Sequence, residues 1–203
     1  MIVDNFDQIL NLISFNNKDE FYFIQVIQRK KDGNDVKVSS GYRKIKSFYI
    51  FSKEELINNK DRIRELCKNN NARAYININV RNAKEISLHC IQEYSETILN
   101  DQCSFKNASI WDSCCGKYKA RGVKQKCIVD IDNIEHLDKI KELINQCEGS
   151  KIITEIPTKS GVHLITNRFN RRYFMQLLVI NNITDIEIKE ESPTLLYYDS
   201  GSI

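Results

Sequence analysis

The spacing of hydrophobic residues along the chain predicts two kinds of element. Apolar residues that recur every three or four positions predict helices over residues 5–14, 53–68, 83–99, 134–147 and 169–178. Short runs rich in β-branched and aromatic residues predict strands over 21–28, 45–51, 74–80, 127–132, 151–156, 162–166, 184–189 and 194–198. Residues 100–124 are polar, follow neither pattern and are predicted to be irregular.

Turn and capping signals separate these elements. Ser52 is predicted to cap the second helix, and Glu55 completes a capping box. The Asp32-Gly33 dipeptide predicts a turn between the first two strands, and Ser192-Pro193 predicts a turn that joins the last two strands as a pair. The order of elements predicts an α+β fold in which helices cover one side of a sheet. The length of 203 residues fits a single globular unit, residues 1–203.

Composition narrows the class of protein. The hydrophobic share of 41% and the charged share of 28% are typical of a soluble globular protein. No apolar run reaches the ~18 residues of a membrane span, and the N-terminus carries acids where a secretory signal carries bases. We therefore expect a cytoplasmic protein without a membrane partner.

The seven cysteines are scattered and include no CxxC pair, which is typical of a reducing compartment. Two interpretations of them remain open. A zinc site could be drawn from His89, Cys103, Cys114 and Cys115, although the usual ligand spacing is missing. The simpler interpretation is that the cysteines fill apolar space.

Positive charge is concentrated in three runs, although the formal net charge is only +3. The runs are Arg29, Lys30 and Lys31; Lys117, Lys119, Arg121, Lys124 and Lys126; and Arg168, Arg171 and Arg172. Most runs of this kind are simply solvated surface. Because these three lie next to the acidic and phosphate-binding motifs described below, the sequence also favours contacts with phosphate groups.

Asp130 and Asp132 are two residues apart on a predicted strand, so their side chains share one face. Two carboxylates at this separation repel each other, and a divalent cation removes that repulsion. Hard oxygen ligands suit Mg²⁺ or Mn²⁺. The alternative is a strand end whose acids face solvent and cap a helix that starts near Ile134.

A second candidate site lies between Pro157 and Ile165. Lys159 and Ser160 provide hydrogen-bond donors, and Gly161 permits close backbone approach. His163 follows in an apolar strand, where it could contact a phosphate or be a core histidine with a polar partner.

Asp185 and Glu187 are predicted to share one face of a later strand, and either could complete a carboxylate trio with the first two acids. We favour Asp185, with Glu187 as the alternative. Both could instead be charges that protect an exposed edge strand from aggregation.

The order of these motifs resembles the three motifs of the archaeo-eukaryotic primase (AEP) or primase-polymerase superfamily, in a small member of phage or mobile-element type. The motifs read Val129-Asp130-Ile131-Asp132, Lys159-Ser160-Gly161-Val162-His163 and Thr184-Asp185-Ile186-Glu187. The resemblance implies Asp130, Asp132 and Asp185 as metal ligands, and Lys159, Ser160 and His163 as nucleotide-binding residues. It also implies an N-terminal α/β module over 1–110 and an RRM-like catalytic module over 111–203.

The implied function is addition of nucleotides to a DNA or RNA strand by two-metal phosphoryl transfer with Mg²⁺ or Mn²⁺. The partners would be nucleoside triphosphates, a template or primer, and replication proteins, in the cytoplasm of a bacterial host if the chain is phage-encoded. Expected nucleic-acid contacts are Lys117, Lys119, Arg121, Lys124, Arg73 and Arg81, with Trp111 and Tyr118 stacking on bases. Two alternatives stay open: a non-catalytic accessory protein that binds nucleotide or nucleic acid, and a metal-dependent nuclease.

Overall fold

The computed structural model describes residues 1–37, 41–100, 102 and 109–201. Its helices are α1 Phe6–Leu12, α2 Lys53–Asn69, α3 Ala83–Leu99, α4 Ile110–Lys117, α5 Leu137–Asn145 and α6 Arg171–Ile180. Its strands are β1 Ile2–Asp4, β2 Glu20–Arg29, β3 Tyr42–Ile50, β4 Arg73–Asn77, β5 Arg81–Asn82, β6 Lys126–Ile131, β7 Ile152–Pro157, β8 Val162–Asn167, β9 Ile186–Lys189 and β10 Pro193–Asp199. The α+β class is confirmed.

The first sheet has the strand order β1-β10-β4-β2-β3, with β5 paired to β2, and all its pairs are antiparallel. Alternate residues of β2 point to opposite faces. Ile24 belongs to a core that it shares with Leu56 and Ile63 of α2. Phe21 and Phe23 point the other way, into the cluster that contains residues of α3 and α4.

The second sheet has the order β7-β8-β6-β9, again antiparallel. Its elements follow the chain as β6-α5-β7-β8-α6-β9, a split βαβ arrangement. Val129 and Leu164 point to one face and pack with Ile140 of α5 and Phe174 of α6. Ile128 points the other way and joins the core of the first sheet, so the two sheets are packed together through apolar contacts.

Local signals located most elements correctly. Helix α3 spans the predicted residues 83–99. The Ser52 Oγ accepts from the Glu55 N–H at 3.1 Å, and the Glu55 carboxylate accepts from the Phe51 N–H at 2.7 Å, which confirms the cap. The predicted turn ends at Gly33, whose φ of 83° is in the left-handed region.

Two predictions about elements were wrong. Part of the supposedly irregular segment forms α4, whose Cys114 and Cys115 are buried against the first sheet. The last two strands do not pair with each other: β9 pairs with β6, and β10 lies between β1 and β4. The chain therefore forms two sheets instead of one, and residues after 110 contribute to both. Both errors arise because tertiary contacts outweighed the local pattern.

The described helices include none that is both long enough and apolar enough to cross a membrane.

Candidate functional site

A cleft of about 1200 Å³ lies between the two sheets. It is lined by every residue that the sequence predicted to bind metal or nucleotide: Asp130, Asp132, Lys159, Ser160, His163, Asp185 and Glu187. Arg73 and the first basic run, Arg29, Lys30 and Lys31, line the same cleft. Residues as far apart in the sequence as Arg29 and Glu187 are therefore gathered around one space.

Asp130 lies at the centre of the wall formed by the second sheet. Its partners in register are His163 on β8 and Glu187 on β9, so the three side chains point to the same face. The His163 Nε2 lies 3.1 Å from Asp130 Oδ1, and the Lys189 Nζ lies 2.5 Å from Asp130 Oδ2. The hydrogen bond from His163 and the charge of Lys189 outweigh the effect of burial and lower the Asp130 pKa to about 2.

His163 links the two sheets. Its Nδ1 lies 2.9 Å from the hydroxyl of Thr194, a buried residue of β10 in the first sheet. Both ring nitrogens therefore have protein partners, which fixes the orientation of the ring. The interpretation of His163 as a histidine with polar partners thus holds, and the same ring also lines the cleft.

The turn before β8 packs tightly on the end of β6. A Cβ added to Gly161 would lie 2.8 Å from the Asp132 Cα and closer still to the Ile131 carbonyl oxygen. This confirms that Gly161 permits close backbone approach. The Ser160 hydroxyl reaches Asp132 Oδ1 at 3.2 Å. The exposed Asp132 thus lies immediately beside the donors of the turn.

The register places Glu187, rather than the favoured Asp185, directly opposite Asp130. Opposed residues of antiparallel strands have Cβ atoms about 4.5–5.5 Å apart. Asp185 precedes β9 and has a left-handed φ of 63°, so the two acids do not share one strand face as predicted. Lys189 contacts both opposed acids, because its Nζ also lies 2.8 Å from Glu187 Oε2.

Asp32 joins the first sheet to the phosphate-binding turn of the second. Its side chain is 1% exposed and forms a bidentate ion pair with Arg73, and its Oδ1 lies 3.2 Å from the Lys159 Nζ. Burial opposes ionisation of Asp32, but Arg73 and Lys159 outweigh it and lower the Asp32 pKa. The Arg73 guanidinium, which was predicted to contact nucleic acid, is therefore already paired with the Asp32 carboxylate.

The donor chemistry of the second sheet fits a hard divalent cation, since Asp130, Asp132 and Glu187 offer carboxylate oxygens on one side of the cleft. They do not form a preassembled ligand cluster. Among residues 1–37, 41–100, 102 and 109–201, no group of three or more His, Cys, Asp or Glu side chains is arranged to hold a metal ion. The Lys189 ammonium group provides the positive charge between Asp130 and Glu187.

The long basic run lies away from the cleft. Lys117 pairs with Glu93 at 2.9 Å, and Lys119 forms an ion pair with Glu191. Arg121 and Lys124 are exposed, but neither lines the cleft. The run that was predicted to contact nucleic acid is therefore partly ion-paired and does not line the cleft.

The prediction that Arg81 contacts nucleic acid is wrong. Arg81 is 0% exposed, and its guanidinium donates to the backbone oxygens of Cys115 at 2.6 Å and Asn79 at 2.9 Å. Burial lowers the Arg81 pKa, which is consistent with its enclosed position. Arg81 ties the start of α3 to the end of α4 and has no surface for a phosphate.

The two predicted stacking residues make contacts within the protein. Trp111 stacks on Phe21 with ring centroids 6.4 Å apart, and Tyr118 stacks on His89 at 3.6 Å.

Of the candidate zinc ligands, Cys103 lies outside the described residues, and Cys114 and Cys115 are buried in the apolar cluster under α4.

Three residues that shape the site, Lys189, Asp32 and Thr194, were not predicted from the sequence to do so. Lys189 could have been found, because it follows Glu187 by two positions on the same strand face. Asp32 appeared only as a turn residue, and nothing local distinguished Thr194. The roles of Asp32 and Thr194 depend on contacts between segments that are far apart in the sequence.

Comparisons of the chain with protein-family models, with curated proteins and with solved structures find no match.

Proposed function

We propose that this protein is a primase-polymerase-like nucleotidyltransferase, which adds nucleotides to a DNA or RNA strand. The observation that carries the proposal is the shared cleft. It brings the acids of β6 and β9, the Lys159-Ser160 turn and the basic run at residues 29–31 around one space of about 1200 Å³. Phosphoryl transfer needs acids that bind cations and donors that hold phosphates, together in one site.

The topology of the second sheet supports the same proposal. The strand order β9-β6-β8 brings the three motifs side by side, with Asp130 between Glu187 and His163. A four-stranded sheet with two helices on one face is also the arrangement expected of an RRM-like catalytic module. In this proposal the first sheet, which provides the opposite wall, takes the place of the N-terminal module, with β10 added from the end of the chain.

The proposed roles follow from position. Lys159 and Ser160 bind the triphosphate, and His163, held by Thr194, orients Asp130 and the adjacent phosphate. Asp130, Asp132 and Glu187 hold Mg²⁺ or Mn²⁺, which when bound neutralises phosphate charge and activates the attacking hydroxyl. Nucleoside triphosphates, a DNA or RNA template or primer, replication proteins and a cytoplasmic location belong to this proposal.

A primer-extension assay tests it. Purified protein, a labelled primer on a template, Mg²⁺ or Mn²⁺ and each nucleotide pool are analysed on a sequencing gel. We expect extension by the wild type and a loss of at least a hundredfold in Asp130→Asn, since one group of the cation site is removed. Asp138→Asn is the matched control, because the Asp138 side chain is 99% exposed on α5. Equal rates in all three proteins would contradict the proposal.

A second candidate, binding without turnover, is favoured by one observation. Lys189 bridges Asp130 and Glu187, so part of their negative charge is already compensated without a metal ion. Retained nucleotide or oligonucleotide binding without extension would support this candidate. Shortened labelled strands on the same gel would instead support the nuclease.

A further inference from the structure

Within the described part of the chain, one group of cations at the cleft forms none of the ion pairs that occupy the others. Arg29, Lys30 and Lys31, here called the basic ridge, follow one another from the end of β2 into the next turn, and all three line the cleft. Lys30 and Lys31 are exposed, and Arg29 is partly exposed. The adjacent acid, Asp32, does not neutralise them, because Arg73 and Lys159 occupy its carboxylate.

The basic ridge retains a positive potential. Arg29 beside it, together with partial burial and Arg73, lowers the Lys31 pKa, and the opposing effects of Asp32 and Asp132 do not cancel this shift. Lys31 and Asp132 line the same cleft. A ligand at the basic ridge would therefore adjoin the carboxylates of the proposed reaction.

The other two basic runs are partly ion-paired and do not line the cleft. Two members of the run after α4 form ion pairs with acids, and that run does not line the cleft. In the third run, Arg168 and Arg171 both pair with Glu190, at 3.1 and 2.9 Å. The basic ridge thus offers unneutralised cations directly beside the site.

We propose that the basic ridge is where the phosphate backbone of a single-stranded nucleic acid binds as the strand enters the cleft. A row of consecutive, exposed cations suits a polyanion whose phosphates repeat along its length. A nucleoside triphosphate instead suits the convergent donors of the Lys159-Ser160 turn. Arg29 also donates to the hydroxyl of Tyr75 at 2.7 Å, and the Tyr75 ring lines the same cleft.

The role of this binding rests on the proposed function, because the bound strand would be the template or primer. The binding itself can be tested without catalysis. A labelled single-stranded 20-mer is titrated with protein in EDTA at several salt concentrations, and fluorescence anisotropy reports binding. The test variant is Lys30→Ala/Lys31→Ala. The matched control is Arg121→Ala/Lys124→Ala, which removes the same charge from the exposed run outside the cleft.

We expect the Lys30→Ala/Lys31→Ala variant to bind the oligonucleotide roughly tenfold more weakly. The slope of log affinity against log salt should fall in magnitude by about 1.4, because each of two lost single-strand phosphate contacts contributes about 0.7. The control should change affinity less than twofold. A separate titration with a fluorescent nucleoside triphosphate should give the same affinity for the variant and the wild type.

Three results would overturn the inference: no oligonucleotide binding by the wild type, an equal effect of both double variants, or a loss confined to the triphosphate. Failure of the proposed function would give a different experimental result. A wild type that binds through the basic ridge but does not extend a primer retains this inference and loses the enzymatic proposal.

Discussion

Gly161 lies against the end of β6 so closely that a side chain at this position would overlap the carbonyl oxygen of Ile131. The approach brings Ser160 within hydrogen-bonding distance of Asp132. The nearest atoms belong to the backbone of a central strand, which cannot move aside without disturbing the sheet. The geometry of the turn thus depends on the absence of a Cβ.

Gly161→Ala is therefore expected to destabilise the protein by about 1–3 kcal/mol, the usual range for overpacking. Urea unfolding followed by circular dichroism measures the change. Gly116→Ala is the control, because Gly116 lies in helix α4 with no atom near the added Cβ. Alanine there should be neutral or stabilising by up to about 1 kcal/mol. A Gly161→Ala variant as stable as the wild type would contradict the close approach.

The lowered pKa of Asp130 predicts a defined pH dependence of stability. Since the folded-state pKa of about 2 is below the unfolded value of about 3.9, ionised Asp130 stabilises the fold above pH ~4 and loses this effect as the pH falls towards 2. The contribution is about 2 kcal/mol. Asp130→Asn should show a correspondingly smaller fall in unfolding free energy between pH 5 and pH 2.5.

The same urea titrations on Asp138→Asn serve as the control. The Asp138 side chain is almost fully exposed, so this variant should keep the pH dependence of the wild type. If Asp130→Asn and Asp138→Asn behave alike, the contacts of Asp130 with His163 and Lys189 do not stabilise its charge.

Lys189 should compete with divalent cations for the acidic wall. Its ammonium group lies within hydrogen-bonding distance of both Asp130 and Glu187, so a metal ion must displace it. Lys189→Met is expected to tighten Mn²⁺ binding roughly tenfold by removing this like charge. Electron paramagnetic resonance of free Mn²⁺ measures the affinity without any enzymatic reaction.

Lys139→Met removes the same charge from an exposed pair on α5 and should leave Mn²⁺ affinity unchanged. Weaker Mn²⁺ binding in Lys189→Met would mean that the lysine organises the acids for the metal instead of competing with it.

Arg81 is expected to matter for stability rather than for binding. Arg81→Met leaves the Cys115 and Asn79 carbonyl oxygens without their buried donor, at an expected cost of about 3 kcal/mol or more. Exposed Arg121→Met should stay within about 0.5 kcal/mol of the wild type. Urea unfolding compares the two, and a small effect for Arg81→Met would contradict its structural role.

The sequence alone determined the local elements and most of the candidate site. Periodicity located α3 and the core strands because alternation and helical spacing depend only on neighbours in the chain. The spacing of Asp130 and Asp132 predicted a shared strand face, although β6 ends at Ile131 and Asp132 lies just beyond it. Gly161 indicated a close approach before the structure showed what it approaches.

Only the tertiary structure decided which segments meet. It paired β9 with β6, which put Glu187 opposite Asp130, and sent β10 to the first sheet, where Thr194 binds His163. It also buried Arg81 and left the basic ridge at the cleft. The pattern of a strand shows which of its residues are apolar but does not determine which strand it pairs with. The choice between the basic runs therefore depended on long-range packing that no local signal encodes.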